Sequence, residues 1–413
     1  METVLIKSIL SIFLSLIIAG ILFFEKPIKL SVSNVSPTLF IGFTWFLTRL
    51  IPFFVVYIWF NYIPFSDISG FFNQATHASR GEVVYRDFYC MYSPFFPYIN
   101  GFALLLWDDK RAIVLMMVLL EFITVISTFS FFKTTTNKTE LLFKILIYWL
   151  LPSSFMFCVL GGQEDELMWL MVILSFLMFQ KTGRLEILGI FLLLGFLVTK
   201  AVFVLFLPAL LFLIKKPIRW IWPMAVLGIV VLFFLYNTSR WEFIGQPTAE
   251  ANTFRAPNLP SVLSPITFGI FNFGAKFWNW IGLLITVGMG IFAANRFKKL
   301  PLTHSLSAVW VLLFGTMMVV QQSAYSSYIF IFLLPLSLVW IDFNNKKEVI
   351  ILLIFNVGSA IHPSLWWRLQ QPKYTTPLVI FQKPIYVLDY GLQILVLLST
   401  LYFLRLVWKK ATA

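Results

Sequence analysis

Apolar runs alternate with short polar segments along most of the chain, and many runs are long enough to cross a hydrocarbon core of about 30 Å. We predict thirteen candidate spans. They lie near residues 4–24, 39–62, 112–132, 141–160, 166–180, 185–199, 201–214, 219–236, 277–295, 304–321, 326–341, 348–362 and 385–404. The two runs beside Lys200 are shorter than about twenty residues, which indicates broken or tilted helices. The pattern therefore predicts an all-α polytopic membrane protein with about 11–13 transmembrane helices.

The composition supports this class. Of the 413 residues, 60% are hydrophobic and only 12% are charged, so a soluble globular protein is excluded. The absence of repeats and of a soluble stretch indicates one integral membrane domain over residues 1–413. The net charge of +13 is better explained by basic cytoplasmic loops that face anionic lipid headgroups than by binding of nucleic acid. Cys90 and Cys158 are too far apart in sequence to form a metal or redox motif.

Most Lys and Arg residues fall in short loops on one side of the predicted spans, and the positive-inside rule makes that side cytoplasmic. These residues are Lys26, Lys29, Lys133, Lys138, Lys144, Lys181, Arg184, Lys215, Lys216, Arg219, Arg296, Lys298, Lys299, Lys346, Lys347, Arg405, Lys409 and Lys410. The carboxyl terminus is then inside, and the number of spans places the amino terminus outside. The longer loops 63–111, 161–166, 237–276 and 363–384 belong to the opposite, external side.

The first external loop contains both charged and apolar segments. Asp67 follows a span, and Phe71, Phe72 and Ala75 recur at helical spacing, which predicts an amphipathic helix on the bilayer surface. The segment "RGEVVYRDF" indicates a turn leading into an extended stretch. Prolines in "YSPFFPY" then begin a second apolar helix of about fifteen residues, which is short for a full crossing and indicates a re-entrant or interfacial helix.

A second external segment, "GGQEDELMWL" at 161–170, places Glu164, Asp165 and Glu166 between two apolar runs. The two glycines permit a tight turn before the carboxylates. One interpretation is a plain acidic turn at the water surface, and the other is a ligand-binding or catalytic loop at the membrane edge. Lys200 leaves a similar choice, because burying it costs about 3 kcal/mol unless it snorkels or binds an anion.

Two other charged pairs have simpler explanations. Asp87 either pairs with Arg86 or Arg80 or takes part directly in chemistry, and ion pairing is the commoner use. Arg49 and Glu121 both lie inside predicted spans, where mutual pairing would stabilise the helix bundle.

The order of these motifs resembles a known family. It is similar to the order found in the GT-C superfamily of polytopic glycosyltransferases. The motifs are, in order, a span, "SD", a juxtamembrane helix, "RGEVVYRDF", "YSPFFPY", and later "GGQEDEL" and "GFLVTKAVFVLFLPALLFL". The chain is most similar to the polyprenol-phosphate-mannose-dependent mannosyltransferases. The resemblance covers residues 39–215, the amino-terminal module, while 216–413 matches only as variable helices. No "DxD" pair follows Asp67, and Ser93 stands where a second proline is more common. These departures leave metal dependence and the sugar open.

The resemblance implies a specific chemistry. The enzyme would transfer mannose or a similar hexose, with inversion, from a polyprenyl-phosphate donor to an acceptor on the external face. Asp67 would be the general base, and Asp165 would position the acceptor or hold a metal. Arg or Lys, or a divalent cation such as Mg or Mn bound by Asp67 and Asp165, would neutralise the leaving phosphate. The other candidate substrate-binding residues are Arg86, Asp87, Glu164, Lys200, Arg240 and Arg255.

The expected partners are a lipid-linked sugar donor, a glycan, glycolipid or protein acceptor, and membrane lipids, with no nucleic acid. The resemblance implies glycolipid or cell-envelope biosynthesis at the plasma membrane, or a lumenal active site in a eukaryote. Three alternatives remain: a polysaccharide polymerase or ligase relying on later residues such as Arg255, His362 and Arg368, a transporter of lipid-linked sugars, and a non-catalytic scaffold. A transporter is expected to show paired inverted repeats, and the sequence has none.

Overall fold

Helices form the regular structure of this protein in a computed structural model, which describes residues 2–245, 249, 252–272 and 274–412. Within these residues there is no strand, and the one β contact is an isolated bridge between Val84 and Phe88 in the "RGEVVYRDF" segment. The predicted all-α class is confirmed. The long apolar runs account for this class, because each run satisfies its own backbone hydrogen bonds when it forms a helix.

Eight helices in the described part of the chain are long and apolar enough to cross a membrane. They are Glu2–Phe23, Pro37–Trp59, Lys110–Phe132, Ile218–Ser239, Lys276–Phe297, Leu302–Val320, Lys346–Arg368 and Pro384–Thr412. Lys138–Leu150 and Pro152–Leu160, which meet at an angle of 62°, make a ninth if the bent pair is counted as one broken span. Pro152 explains the bend, because proline disfavours a helical conformation in the residue before it, and Leu151 has φ −59° and ψ 129°.

Shorter helices occupy the other predicted spans: Glu166–Thr182, Leu185–Val198, Ala201–Leu213 and Ser326–Trp340. The prediction of a break beside Lys200 is confirmed, because Thr199 and Lys200 separate Leu185–Val198 from a 3-10 turn at Ala201–Phe206. The last helix runs to Thr412, beyond the predicted end at 404. The remaining described helices of five or more residues are Glu25–Ser33, Asp67–Ser79, Phe96–Leu106, Leu259–Leu263 and Pro377–Phe381.

Side-chain contacts near the helix ends confirm that several lysine-bearing segments share one end of the bundle. Lys29 contacts Glu140, Lys144 Nζ donates to the Ile341 carbonyl at 2.9 Å, and Lys410 Nζ lies 2.7 Å from Glu348 Oε2. We call this the lysine-rich end. Thr3 lies at the other end, where its hydroxyl accepts a hydrogen bond of 2.9 Å from Arg368 at the close of Lys346–Arg368. The termini are therefore on opposite sides, as predicted.

The predicted pairing of Arg49 with Glu121 is also confirmed. The guanidinium binds both carboxylate oxygens, at 2.6 and 3.0 Å, and both side chains are buried. Arg49 donates further to the Trp149 carbonyl at 2.6 Å, and the Tyr148 hydroxyl lies 3.2 Å from Glu121 and 2.9 Å from Glu166. This network joins Pro37–Trp59, Lys110–Phe132 and the bent pair of helices, and so fixes the helices that carry loops 63–111 and 161–166.

Candidate functional site

Lys200 lies between two carboxylates of the "GGQEDEL" loop. Its Nζ atom is 2.5 Å from Asp165 Oδ1 and 2.7 Å from Glu164 Oε1. The Glu164 and Asp165 side chains are almost fully buried, at 1% and 0% exposure, whereas that of Lys200 is 17% exposed. The acidic segment is therefore not a plain surface turn. It supplies two buried carboxylates to a lysine that still reaches the surface.

The break at Thr199 and Lys200 receives the "YSPFFPY" segment. Ser93 N–H donates to the Thr199 carbonyl at 3.2 Å, and Phe95 N–H donates to the Leu197 carbonyl at 2.9 Å. These bonds satisfy carbonyls that the broken helix leaves without intrahelical partners. They also bring the Tyr92 ring to 5.4 Å from Lys200 Nζ, within the range of a cation–π contact.

Tyr328 provides the second ring, 5.3 Å from Lys200 Nζ. It belongs to the segment "QQSAYSSY" at 321–328, which follows Leu302–Val320. Lys200 is thus surrounded by residues from loop 63–111, from "GGQEDEL" and from the carboxyl-terminal half. The site is built from both the amino-terminal and the carboxyl-terminal helices.

Asp67 joins the site through Gln163. Gln163 Nε2 donates a hydrogen bond of 2.8 Å to Asp67 Oδ2, and the Asp67 side chain is exposed at the first position of Asp67–Ser79. Gly162 makes this approach possible, because it has φ +55° and an added Cβ would lie 2.4 Å from Ile68 Cδ1. A larger residue there would push the loop away from the helix.

The charges around Lys200 influence one another strongly. Burial raises the pKa of the Glu164 carboxyl to about 7, although Lys200 opposes this shift. Burial also raises the pKa of Asp165, again against the effect of Lys200. Burial alone would lower the pKa of Lys200, but Asp165 and Glu164 outweigh it and hold that pKa well above the usual value. Lys200 therefore remains a cation, while Glu164 exchanges its proton near neutral pH.

Arg255 contributes a second positive charge near the same carboxylates. Its field lowers the pKa of Asp165 and that of Tyr325, and Asp67 acts on the same two groups in the opposite direction. The Arg255 backbone N–H donates to the Gln322 carbonyl at 3.0 Å, which attaches residues 252–258 to the "QQSAYSSY" segment. The structure thus brings together Asp67, Glu164, Asp165, Lys200 and Arg255.

Arg86, Asp87 and Arg240 have other contacts. Arg86 forms two hydrogen bonds of 2.8 Å with Asp87, and Asp87 also accepts from Val83 N–H at 2.7 Å. The hydrogen bonds from the Arg86 guanidinium, and to a smaller extent that from Val83 N–H, lower the pKa of the Asp87 carboxyl to about 2. Arg240 follows Ile218–Ser239 and lies 5.5 Å from the Tyr236 ring. Their substrate-binding roles stay predictions, and the simple pairing of Asp87 with Arg86 is what the structure contains.

Three acceptor atoms in the site are buried without a hydrogen bond from any described residue: Glu164 Oε1, which has only its ion pair with Lys200, Glu164 Oε2 and Asp165 Oδ2. They are available to a hydroxyl group or to water. For a divalent cation the donor set fits poorly. No group of three or more His, Cys, Asp or Glu residues in the described part of the chain is arranged to hold a metal. In addition, the Lys200 ammonium already occupies the position between two of the carboxylates.

A buried chain of polar side chains supports the "QQSAYSSY" segment, and no sequence pattern linked its members. Ser326 Oγ lies 3.1 Å from His362 Nδ1, and His362 Nε2 is 3.7 Å from Asp389 Oδ1. Asp389 also accepts from Tyr374 at 2.9 Å and from Gln393 at 2.8 Å. Because the Ser326, His362 and Asp389 side chains are all buried, we interpret them as a support for Tyr328 and not as a nucleophilic triad.

A small cavity lies behind Glu164. It measures about 10 Å³, enough for roughly one water molecule. Glu121, Gln163, Glu164 and Glu166 are among its lining residues. The cavity therefore lies between the Lys200 site and the Arg49–Glu121 network.

Comparison with known proteins adds no relative: no protein-family model, no curated protein and no solved structure matches this chain.

Proposed function

We propose that this protein is a membrane glycosyltransferase of the GT-C type that transfers a sugar from a polyprenyl-phosphate donor to an acceptor on the side opposite the lysine-rich end. The observation that carries the proposal is that three segments singled out for the same reaction are joined in one site: Glu164 and Asp165 bind Lys200, and the neighbouring Gln163 binds Asp67. Unrelated surface turns would not be expected to be connected in this way.

The surroundings of Asp67 suit a lipid-linked donor. The residues just before it, from Trp59 to Phe65, include several highly exposed apolar side chains, among them Trp59 at 83%, Ile63 at 61% and Phe65 at 59%. Exposed aromatic residues at the end of a span are typical of the membrane interface. A polyprenyl tail would remain in the bilayer beside them, and the donor phosphate would then lie at the depth of Asp67 and Lys200.

The proposed reaction is a single displacement. The acceptor hydroxyl oxygen attacks the anomeric carbon of the sugar while its proton passes to a carboxylate oxygen of Asp67. The bond between the anomeric carbon and the phosphate oxygen breaks, and its electron pair leaves with the polyprenyl phosphate. Attack from the opposite face inverts the configuration at that carbon. Lys200 and Arg255 stabilise the charge that develops on the leaving phosphate.

The charge balance of the site requires an adjustment when the donor binds. Asp67, Glu164 and Asp165 carry three negative charges against the two positive charges of Lys200 and Arg255, so an ionised cluster repels a phosphate. A proton on Glu164 makes the cluster neutral and releases Lys200 from one of its two carboxylates. The raised pKa of Glu164 favours this protonated form near neutral pH.

The test is transfer by the purified protein. Protein reconstituted in nanodiscs would be mixed with radiolabelled polyprenyl-phosphate mannose or glucose and a panel of glycan and glycolipid acceptors. We expect label to move to an acceptor with wild-type protein. Hydrolysis is followed separately, because water can replace a poor acceptor. Transfer that persists unchanged when Asp67, Asp87 and Asp165 are each replaced by Asn would contradict the proposed mechanism.

A transporter of lipid-linked sugars is the second candidate, and the Arg49–Glu121 network favours it. Ionisable residues inside membrane helices are frequently part of a transport pathway. Here, however, Arg49 is fully engaged by Glu121, Trp149 and Ser154. A liposome assay of lipid-linked sugar movement distinguishes the two functions, since a transporter moves the intact donor without breaking its sugar–phosphate bond.

A further inference from the structure

A groove opens at the lysine-rich end, away from the candidate active site. Its volume is about 490 Å³, within the range of roughly 300–1,000 Å³ typical of small-molecule sites. The ends of Pro37–Trp59 and Lys110–Phe132 form its walls. The lining residues are Pro37, Thr38, Ile41, Ile126, Phe129, Ser130, Lys133, Thr134 and Lys138.

The polar rim of the groove is cationic. Lys133 and Lys138 are both exposed, and neither forms an ion pair with a described residue. Lys138 Nζ donates to the Val35 carbonyl at 3.0 Å, which leaves it further hydrogen atoms to donate. Thr38, Ser130 and Thr134 add hydroxyl groups.

The acidic residues of the neighbouring helices do not neutralise this rim. Pro37–Trp59 contains no Asp or Glu, and the only acidic residue of Lys110–Phe132 is Glu121, which is bound by Arg49. Glu140, the acidic residue of Lys138–Leu150, is bound by Lys29 and lies 3.8 Å from Lys144. Glu25 is bound by Lys29 at 2.6 Å. The charge facing the groove is therefore positive.

The other wall of the groove is apolar. Ile41 and Phe129 are buried at the back of the groove, and Ile126 is half-buried. A ligand in this groove would thus meet cations and hydroxyl groups at one end and hydrocarbon at the other.

We propose that this groove binds the headgroup of an anionic glycerophospholipid, with its phosphate between Lys133 and Lys138 and its acyl chains along Ile126 and Ile41. The charge complementarity favours an anionic over a zwitterionic headgroup. The apolar wall favours a lipid over a soluble phosphate. Such a lipid would hold the cytoplasmic ends of two spans together, independently of the reaction at Asp67.

The test uses full-length protein in detergent, with phosphatidylglycerol and phosphatidylcholine of identical acyl chains as probes. Native mass spectrometry or a fluorescent-lipid titration gives the affinity for each lipid. We expect phosphatidylglycerol to bind more tightly, and Lys133→Gln/Lys138→Gln to weaken its binding about tenfold or more, since each lysine near an anionic surface contributes appreciably. Lys298→Gln/Lys299→Gln removes the same charge from another exposed loop at the same end and should have little effect.

A second variant separates the groove from simple charge attraction. Ser130→Trp fills the groove while both lysines remain, and we expect it to weaken phosphatidylglycerol binding as well. Equal loss in the Lys298/Lys299 control would overturn the proposal in favour of non-specific attraction. Equal affinity for phosphatidylcholine, unchanged binding in Ser130→Trp, or competition by millimolar inorganic phosphate as strong as that by the lipid would also overturn it. None of these results depends on glycosyl transfer.

Discussion

Gln163 donates a hydrogen bond of 2.8 Å to Asp67, although the two residues are 96 positions apart in the chain. This bond connects the start of the juxtamembrane helix with the loop whose next two residues, Glu164 and Asp165, bind Lys200. The carboxylate proposed as the base and the lysine proposed to hold the phosphate are therefore positioned by one loop.

The role of Gln163 as a positioning residue is testable. Gln163→Leu should lower kcat about tenfold, because a hydrogen bond to a charged group contributes about 1.5–3 kcal/mol and orients the carboxylate. The donor KM should change little, since Gln163 does not contact Lys200. In an Asp67→Asn background the same substitution should cause little additional loss. Independent, additive effects in the double variant would show that Gln163 does not act through Asp67.

Lys200 is expected to bind the donor phosphate and also to stabilise the fold. Lys200→Met should abolish donor binding and reduce stability by roughly 3–5 kcal/mol, because it leaves two buried carboxylates without their cation. The charge-balanced variant Lys200→Met/Glu164→Gln/Asp165→Asn should recover most of the stability but not the binding. Thermal unfolding and donor titration measure the two effects separately. Donor binding in the balanced variant equal to that of wild type would remove Lys200 from the site.

Donor binding should depend on pH through Glu164. Because burial raises its pKa to about 7, Glu164 is neutral below that pH and ionised above it. Ionised Glu164 competes with the phosphate for Lys200, so affinity should fall as the pH rises through about 7. Titrations of the donor between pH 5.5 and 8.5 check this. Glu164→Gln should remove the pH dependence, and an unaltered profile in that variant would assign the effect to another group.

The Arg49–Glu121 pair is expected to stabilise the bundle without contributing to the reaction. Arg49→Met should lower stability by about 3–5 kcal/mol, because Glu121 stays buried without its partner. Arg219→Met breaks an ion pair whose side chains are 52% and 42% exposed, and it should cost about 1 kcal/mol or less. Unfolding in detergent measures both. Similar small effects would mean that water enters the network and replaces the guanidinium.

The sequence alone was sufficient to predict the helices and part of the candidate site. Apolar runs located the spans because backbone groups in lipid must bond within their own segment. Charged residues beside apolar runs could be predicted as site residues, because placing a charge at the membrane is unfavourable in free energy; these were Asp67, Asp165 and Lys200. Gln163, Tyr92 and Tyr328 carried no such signal. Their roles depend on how distant segments pack, as with the Ser93–Thr199 and Phe95–Leu197 hydrogen bonds, which no local pattern encodes.

The most direct test of the account compares sugar transfer with donor binding in Asp67→Asn. The amide keeps the size of the side chain but is far too weak a base to accept the acceptor proton, so kcat should fall about 100-fold or more, as for loss of a general base. Donor affinity should remain close to wild type, because Lys200 binds the phosphate. Asp108→Asn, which changes an exposed residue of the same loop, 63–111, is the matched control and should retain activity. Near-normal transfer by Asp67→Asn would contradict the central claim that Asp67 is the catalytic base.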